Sequence, residues 1–325
     1  MSGGELVVVP QGRELRGMIV CITDQAGQPG LMVLDVASDS STVLASADCS
    51  WRSVPAVAPS GERVALQGAD GRLKIVNVRA DQTESIGEPI SGLITPRWSP
   101  GGSSVMYELD ATTHVVSLDE TCGQSSFVAA MAAWMGDGSQ IAYVADNMLH
   151  AMDTWTGEAV QLTDGPERIW GVAASLDGVH AAYVASDDTG VLLRVVDVFT
   201  REIWEARTFR GIWPWSLAWS PDGRTLAYCV GGAEEQGGQR VSVCMLDVRC
   251  IGAEAGCEPR AVATLVTDPR CAGLAWSPDS RAVAIAAQMG RSGRYAVHAI
   301  SPAGEQHQLT GQGNCVLPDW GPSPI

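Results

Sequence analysis

The chain has 325 residues, and its Lys plus Arg count of 21 stands against an Asp plus Glu count of 37, a formal net charge of −16. So acidic a chain has little with which to neutralise a phosphate backbone or adhere to an anionic bilayer, which argues against nucleic-acid binding and against electrostatic membrane adhesion. Gly (36) and Pro (17) are abundant, a turn-rich composition that suits an all-β chain better than a helical bundle, and no apolar stretch approaches the ~20 residues of a membrane helix.

From the N-terminus, Met1-Ser-Gly-Gly-Glu5 has no basic and apolar leader. The expectation is a protein that stays in the cytosol or one whose leader has been removed. The apolar runs Met18–Ile22 and Leu31–Val36 then read as strands. From there one pattern recurs: an apolar stretch often ending in Trp, then Ser-Pro-Asp-Gly or a relative, then an alternating apolar strand. In chain order its copies are Val57–Ala65, Pro96–Tyr107, Ala133–Tyr143, Ala174–Tyr183, Leu217–Tyr228 and Leu274–Ile285, with a truncated copy at Pro318–Pro322. Equivalent turn positions fall at 61, 102, 138, 178, 223, 280 and 324. A period of about 40–45 residues with four strands per unit is the mark of a β-propeller. Pro presets φ in each turn and Gly supplies left-handed freedom.

The expected architecture is therefore one all-β domain over residues 1–325. It is a seven-bladed propeller of four-stranded antiparallel blades, with the ring closed by pairing the N- and C-terminal strands. Six blades is the alternative. Pro10-Gln-Gly-Arg-Glu-Leu15 also has the form of the turn motif, and an inner strand supplied from there would displace the C-terminal strand. The motifs Trp-Ser-Pro-Asp-Gly-Arg at 219–224, Trp-Ser-Pro-Asp-Ser at 276–280 and Thr-Gly-Glu…Leu-Thr at 156–163 resemble the TolB-like, or PD40, propeller family, and the resemblance covers nearly the whole chain. It implies a fold more than a function, since the family includes periplasmic interaction modules, lipoproteins and the propeller domains that cover serine peptidases. The chain ends directly after its last blade, so the hydrolase domain of such peptidases is expected to be absent.

Candidate functional residues follow from departures from the repeat. The Trp residues at 98, 134, 219, 276 and 320 share one repeat position and are expected to pack between blades. Trp51, Trp170, Trp213 and Trp215 fall outside it, in segments that enter an inner strand from the preceding blade. Arg52, Arg97, Arg168, Arg210 and Arg270 lie in or near the same segments. Such connections ring one mouth of the central channel, and Trp and Arg are enriched in binding hot spots. The insertions Gly231–Arg240, Arg249–Arg260 and Gln288–Arg294 are a second signal, because loops on a rigid scaffold carry variation.

The nine cysteines show no CxxC spacing and the five His are scattered, so neither a metal site nor a cofactor is expected. Cys250 with Cys257, and Cys229 with Cys244, are disulfide candidates, which favours an extracytoplasmic location over a cytoplasmic one. No nucleophile elbow, metalloprotease helix, P-loop or dinucleotide fingerprint occurs. The expectation is a non-catalytic module that binds another protein at the Trp/Arg mouth and the 231–260 insertions. A carbohydrate or peptide ligand, or a stand-alone lyase or hydrolase with channel residues, is the alternative.

Overall fold

In a computed structural model the described residues are 15–324 apart from 120–122, 166, 189, 210–213, 236–237, 252–257, 291 and 312. Twenty-eight strands form seven four-stranded antiparallel sheets. Blade 1 runs, inner to outer, Cys315–Gly321, Met18–Thr23, Gly30–Asp35 and Ser40–Leu44. Blades 2 to 7 then follow in chain order with inner strands Ala56–Val57, Arg97–Trp98, Ala130–Met135, Arg168–Ala174, Pro214–Trp219 and Ala275–Trp276. The C-terminal strand is thus the inner strand of the first blade. The Pro10–Leu15 motif falls almost wholly outside the described residues.

The turn motif explains itself locally. Ser220 Oγ donates to Asp222 Oδ1 (2.6 Å) and accepts from Thr225 N (2.9 Å), while Gly223 N donates to Ser220 O (2.8 Å). Ser277 repeats the set with Asp279 and Ala282. Gly223 sits at φ +70°, and a Cβ there would meet Asp177 of the preceding blade, so the glycine serves both the turn and a close approach.

A blade has two apolar faces and cannot bury either one alone. Seven hydrophobic clusters, one per interface, hold the core between blades. The repeated Trp adds a directional link. Trp98 Nε1 donates to Ala56 O (2.9 Å), Trp134 to Arg97 O (3.4 Å), Trp219 to Ala173 O (3.0 Å) and Trp276 to Ala218 O (2.9 Å). Each bond reaches the inner-strand carbonyl of the preceding blade. Trp320 closes the series differently, on Arg16 O (3.0 Å).

The ring closes where Cys315–Gly321 pairs with Met18–Thr23, and Asn314 is held by both carboxylate oxygens of Asp24 at 2.7 and 2.8 Å. The Trp219 bond is buried, whereas that of Trp134 is longer and exposed. Trp219→Phe removes a buried hydrogen bond between blades and is expected to cost about 0.5–1.5 kcal/mol in urea unfolding. Trp134→Phe should cost less, and equal losses would remove the bond from the explanation.

Candidate functional site

Strand direction sorts the loops. Connections between blades, and the turns joining second to third strands, emerge on one face. The Ser-Pro-Asp-Gly turns and those joining third to fourth strands emerge on the other. Trp51 and Arg52 lie in the connection into blade 2, Arg168 and Trp170 at the start of the inner strand of blade 5, and Arg270 in the short helix Pro269–Ala272 that leads into blade 7. All are on the connection face. Arg210 and Trp213 lie outside the described residues.

The members differ in their commitments. The Arg168 guanidinium lies 3.9 Å over the Trp170 ring, whose Nε1 donates to Ser186 Oγ at 2.9 Å. This cation–π pair is open to solvent and covers one ring face. Arg270 is engaged by Asp268 through two bonds of 3.0 and 2.6 Å. Trp215 is half-buried against the core between blades 6 and 7, so it is part of the packing more than of the rim. Trp51 and Arg52 are exposed.

Arg97 is the member with a different address. It precedes the repeated Trp, and the equivalent residues of the other blades are Ala56, Ala133, Ala173, Ala218, Ala275 and Asp319. Five alanines therefore leave one guanidinium and one carboxylate on the channel wall. The channel cavity of about 380 Å³ is lined by both Arg97 and Asp319 with Trp134, Leu176 and Leu217 among its apolar walls. Beside it, on the connection face, a hollow of about 420 Å³ takes in Arg97, Tyr107, Glu108, Asp110 and Thr113.

Arg97 Nη1 donates to Ala132 O. Its side chain is exposed at the channel, with the inner strands of the neighbouring blades crowded around it. Desolvation draws the guanidinium pKa down while the Glu108 carboxylate opposes this. Glu108 is itself oriented by Met131 N at 2.7 Å. Reading the repeat column would have singled out Arg97 and Asp319; grouping Arg97 with the rim by sequence proximity obscured that.

The insertions do not form one surface. The lengthened hairpin of Thr225–Glu235 and Gly238–Asp247 projects on the connection face. The described start of the next insertion, the turn Val248–Cys250 that follows the third strand of blade 6, is on the opposite face.

The pairing of Cys229 with Cys244 is corrected. Cys229 stands opposite Val243, and Cys244 opposite Tyr228. A one-residue offset puts side chains on opposite sheet faces: Cys229 enters the core between blades 6 and 7, Cys244 the core between blades 5 and 6, and both are free thiols. Cys250 is disulfide-bonded. Its candidate partner Cys257 lies outside the described residues.

Asp319 accepts from Val57 N at 2.7 Å, yet enclosure by the blades dominates and holds its carboxyl above the ordinary value. A raised folded-state pKa contributes stability that is complete below the unfolded value of ~3.9 and is lost as pH rises through the folded value. Asp319→Asn keeps an acceptor for Val57 N and removes that loss. Its melting temperature relative to wild type is expected to climb between pH 4 and pH 7; parallel pH profiles would show that the carboxyl titrates normally.

No family model matches the chain, and no curated protein matches it in sequence. Solved structures do. TolB from Acinetobacter baumannii is 14% identical with a TM-score of 0.53, over 91% of this chain and 79% of that one. The β-propeller domain of Myceliophteria thermophila Cps50 (Swd1) is 16% identical with a TM-score of 0.59, over 80% and 86%. An oligogalacturonate lyase in complex with manganese is 12% identical with a TM-score of 0.60, over 90% and 85%. At these identities the likeness is one of fold: the chain is a seven-bladed β-propeller.

Proposed function

We propose that this propeller is a protein-interaction module whose connection face receives an acidic segment of a partner. The observation that carries the reading is Arg97, a lone guanidinium on an alanine-lined channel wall, opening into a hollow of about 420 Å³. Arg52 and the Arg168–Trp170 pair stand on the same face. A carboxylate–guanidinium bond is charge-assisted and directional, because the planar fork matches both carboxylate oxygens. Likeness in fold to TolB and to a Swd1 propeller accords with interaction in general.

Turnover is the competing reading. An oligogalacturonate lyase shares the fold, and the hollow sets Glu108 and Tyr107 near the Arg97 guanidinium.

Affinity capture from extract of the native host separates the readings. Wild type is expected to retain a partner that Arg97→Ala with Trp170→Ala releases, with Kd raised tenfold or more (~1.4 kcal/mol) and weakened further by salt. Equal retention by both proteins retires the mouth. Turnover of an acidic oligosaccharide that Arg97→Ala abolishes in a folded protein would establish the enzyme instead.

The extracytoplasmic location is likewise proposed, with Cys257 as the partner of Cys250. Among the described residues no helix is long and apolar enough to cross a membrane. In denatured, unreduced protein, alkylation is expected at Cys229 and Cys244 but at Cys250 only after reduction. Labelling of Cys250 without reductant, read by peptide mass spectrometry, defeats the proposal.

A further inference from the structure

The exposed apolar side chains are unevenly placed. Trp155 and Phe199 are 89% and 70% exposed. Each stands two residues beyond the Asp that ends the third strand of its blade, Asp153 in blade 4 and Asp197 in blade 5. They are one repeat position in adjacent blades. The fold does not ask for aromatics there. The turn is made by the Asp: Asp153 Oδ1 accepts from Trp155 N and Thr156 N, and Asp197 Oδ1 from Phe199 N and Thr200 N, at 2.8–2.9 Å. Blades 1, 2 and 6 carry Ala37, Arg79 and Arg249 at the same position.

Strand register adds two more apolar residues to the same place. Val160 pairs with Ala151, and Ile203 with Val196. Directly paired residues share a sheet face, and Ala151 and Val196 both point into the core between blades 4 and 5. Val160 and Ile203, both exposed, therefore flank one inter-blade cleft from its two sides. The cleft and the two aromatics form an apolar strip on the outer rim. A strip of this kind with a polar border marks an interaction site.

Its border is acidic. Asp137, Glu158, Asp177 and Glu202 are exposed in the turns of these two blades, with Arg201 the basic residue among them. Turn N–H groups and Ser139 hold the Asp137 carboxyl, and turn N–H groups the Asp153 carboxyl, below the usual range, so the border stays ionised at neutral pH. That charge disfavours a second copy of this chain, which would bring the same acidic rim and a net −16 with it. We propose that this rim of blades 4 and 5 docks a cationic amphipathic segment of a partner protein. Apolar side chains of the segment cover Trp155, Phe199 and the cleft, and Lys or Arg residues meet Glu158 and Glu202. The rim is on the face opposite the Arg97 mouth and stands independently of that reading.

The test is fluorescence anisotropy with three labelled synthetic peptides of equal length: alternating Lys/Leu, Lys/Ser of the same charge, and Glu/Leu. Wild type is expected to bind the Lys/Leu peptide at least tenfold more tightly than the other two. Trp155→Ala with Phe199→Ala should lose that tenfold, as should Glu158→Lys with Glu202→Lys, while Trp170→Ala on the other face changes nothing. Both aromatics are exposed, so the melting temperature should hold; Trp155→Tyr with Phe199→Tyr should restore binding. Equal binding of Lys/Leu and Lys/Ser overturns the proposal, as does undiminished binding by the aromatic double variant. A concentration-dependent dimer that this variant abolishes overturns it too, in favour of self-association.

Discussion

Everything in this molecule depends on the fact that a blade cannot bury its own two faces. Each sheet is covered only by its neighbours, so the core exists as seven separate wedges, and none is complete until the ring is. Repeat stacks are otherwise quasi-one-dimensional, with terminal units exposed. Here the last strand of the chain returns to the first blade, and Asp24, Asn314 and the Trp320–Arg16 bond secure the seam. Closure also covers the edge of Met18–Thr23, and the inner edges that remain are short and face the channel, where they are protected from templating association. The Trp links reinforce the wedges, because an indole buries a large apolar face while its N–H reaches an inner-strand carbonyl of the preceding blade in blades 3, 4, 6 and 7.

The same closure sets the chemistry of the channel. Inner strands converge on one axis, and the residue before each Trp faces its counterparts across a narrow space. Alanine meets that constraint in five blades. Against such a wall a charge is conspicuous, since alanine offers no side-chain hydrogen bonds. Arg97 and Asp319 solve the problem separately, Arg97 through the Ala132 carbonyl and the field of Glu108, Asp319 through the Val57 N–H and a raised pKa. They make no ion pair within reach of each other among the described contacts.

How much of this could be read from the sequence follows from the range of the interaction concerned. The Ser-Pro-Asp-Gly turn is largely local: the bonds that shape it join residues at most five apart, as Ser220 and Thr225 do, and Asp222 N adds one to Ser280 Oγ of the next blade, so the motif carries its own geometry and its period carries the blade count. Cys229 and Cys244 show the limit. Adjacent strands were evident, but the side of the sheet depends on a one-residue register that a lengthened hairpin conceals. The 231–260 insertions were close in sequence yet their described parts fall on opposite faces, because one follows the second strand of blade 6 and the other the third. Arg97 was named for its neighbours along the chain, whereas its environment is set by its column across the repeats.

The acidity of the chain also takes on a different meaning in the fold. Asp35, Asp81, Asp153, Asp197 and Asp247 accept hydrogen bonds at or near blade turns, chiefly from the Ser38 and Arg249 side chains at Asp35 and Asp247 and from backbone N–H groups at the other three, and those bonds lower their pKa values. A large part of the negative charge is therefore turn chemistry repeated blade by blade, and net charge alone says little about a partner. What carries information is where the repeat is broken. A guanidinium replaces alanine at the channel wall, and two aromatics occupy turn positions that elsewhere hold Ala37 or Arg79. The first break places a cation at the channel mouth, and the second places apolar surface inside an acidic border on the opposite face. Both breaks leave side chains that the repeat does not require, and it is at such departures, not in the shared turn chemistry, that a repeat protein acquires a surface of its own.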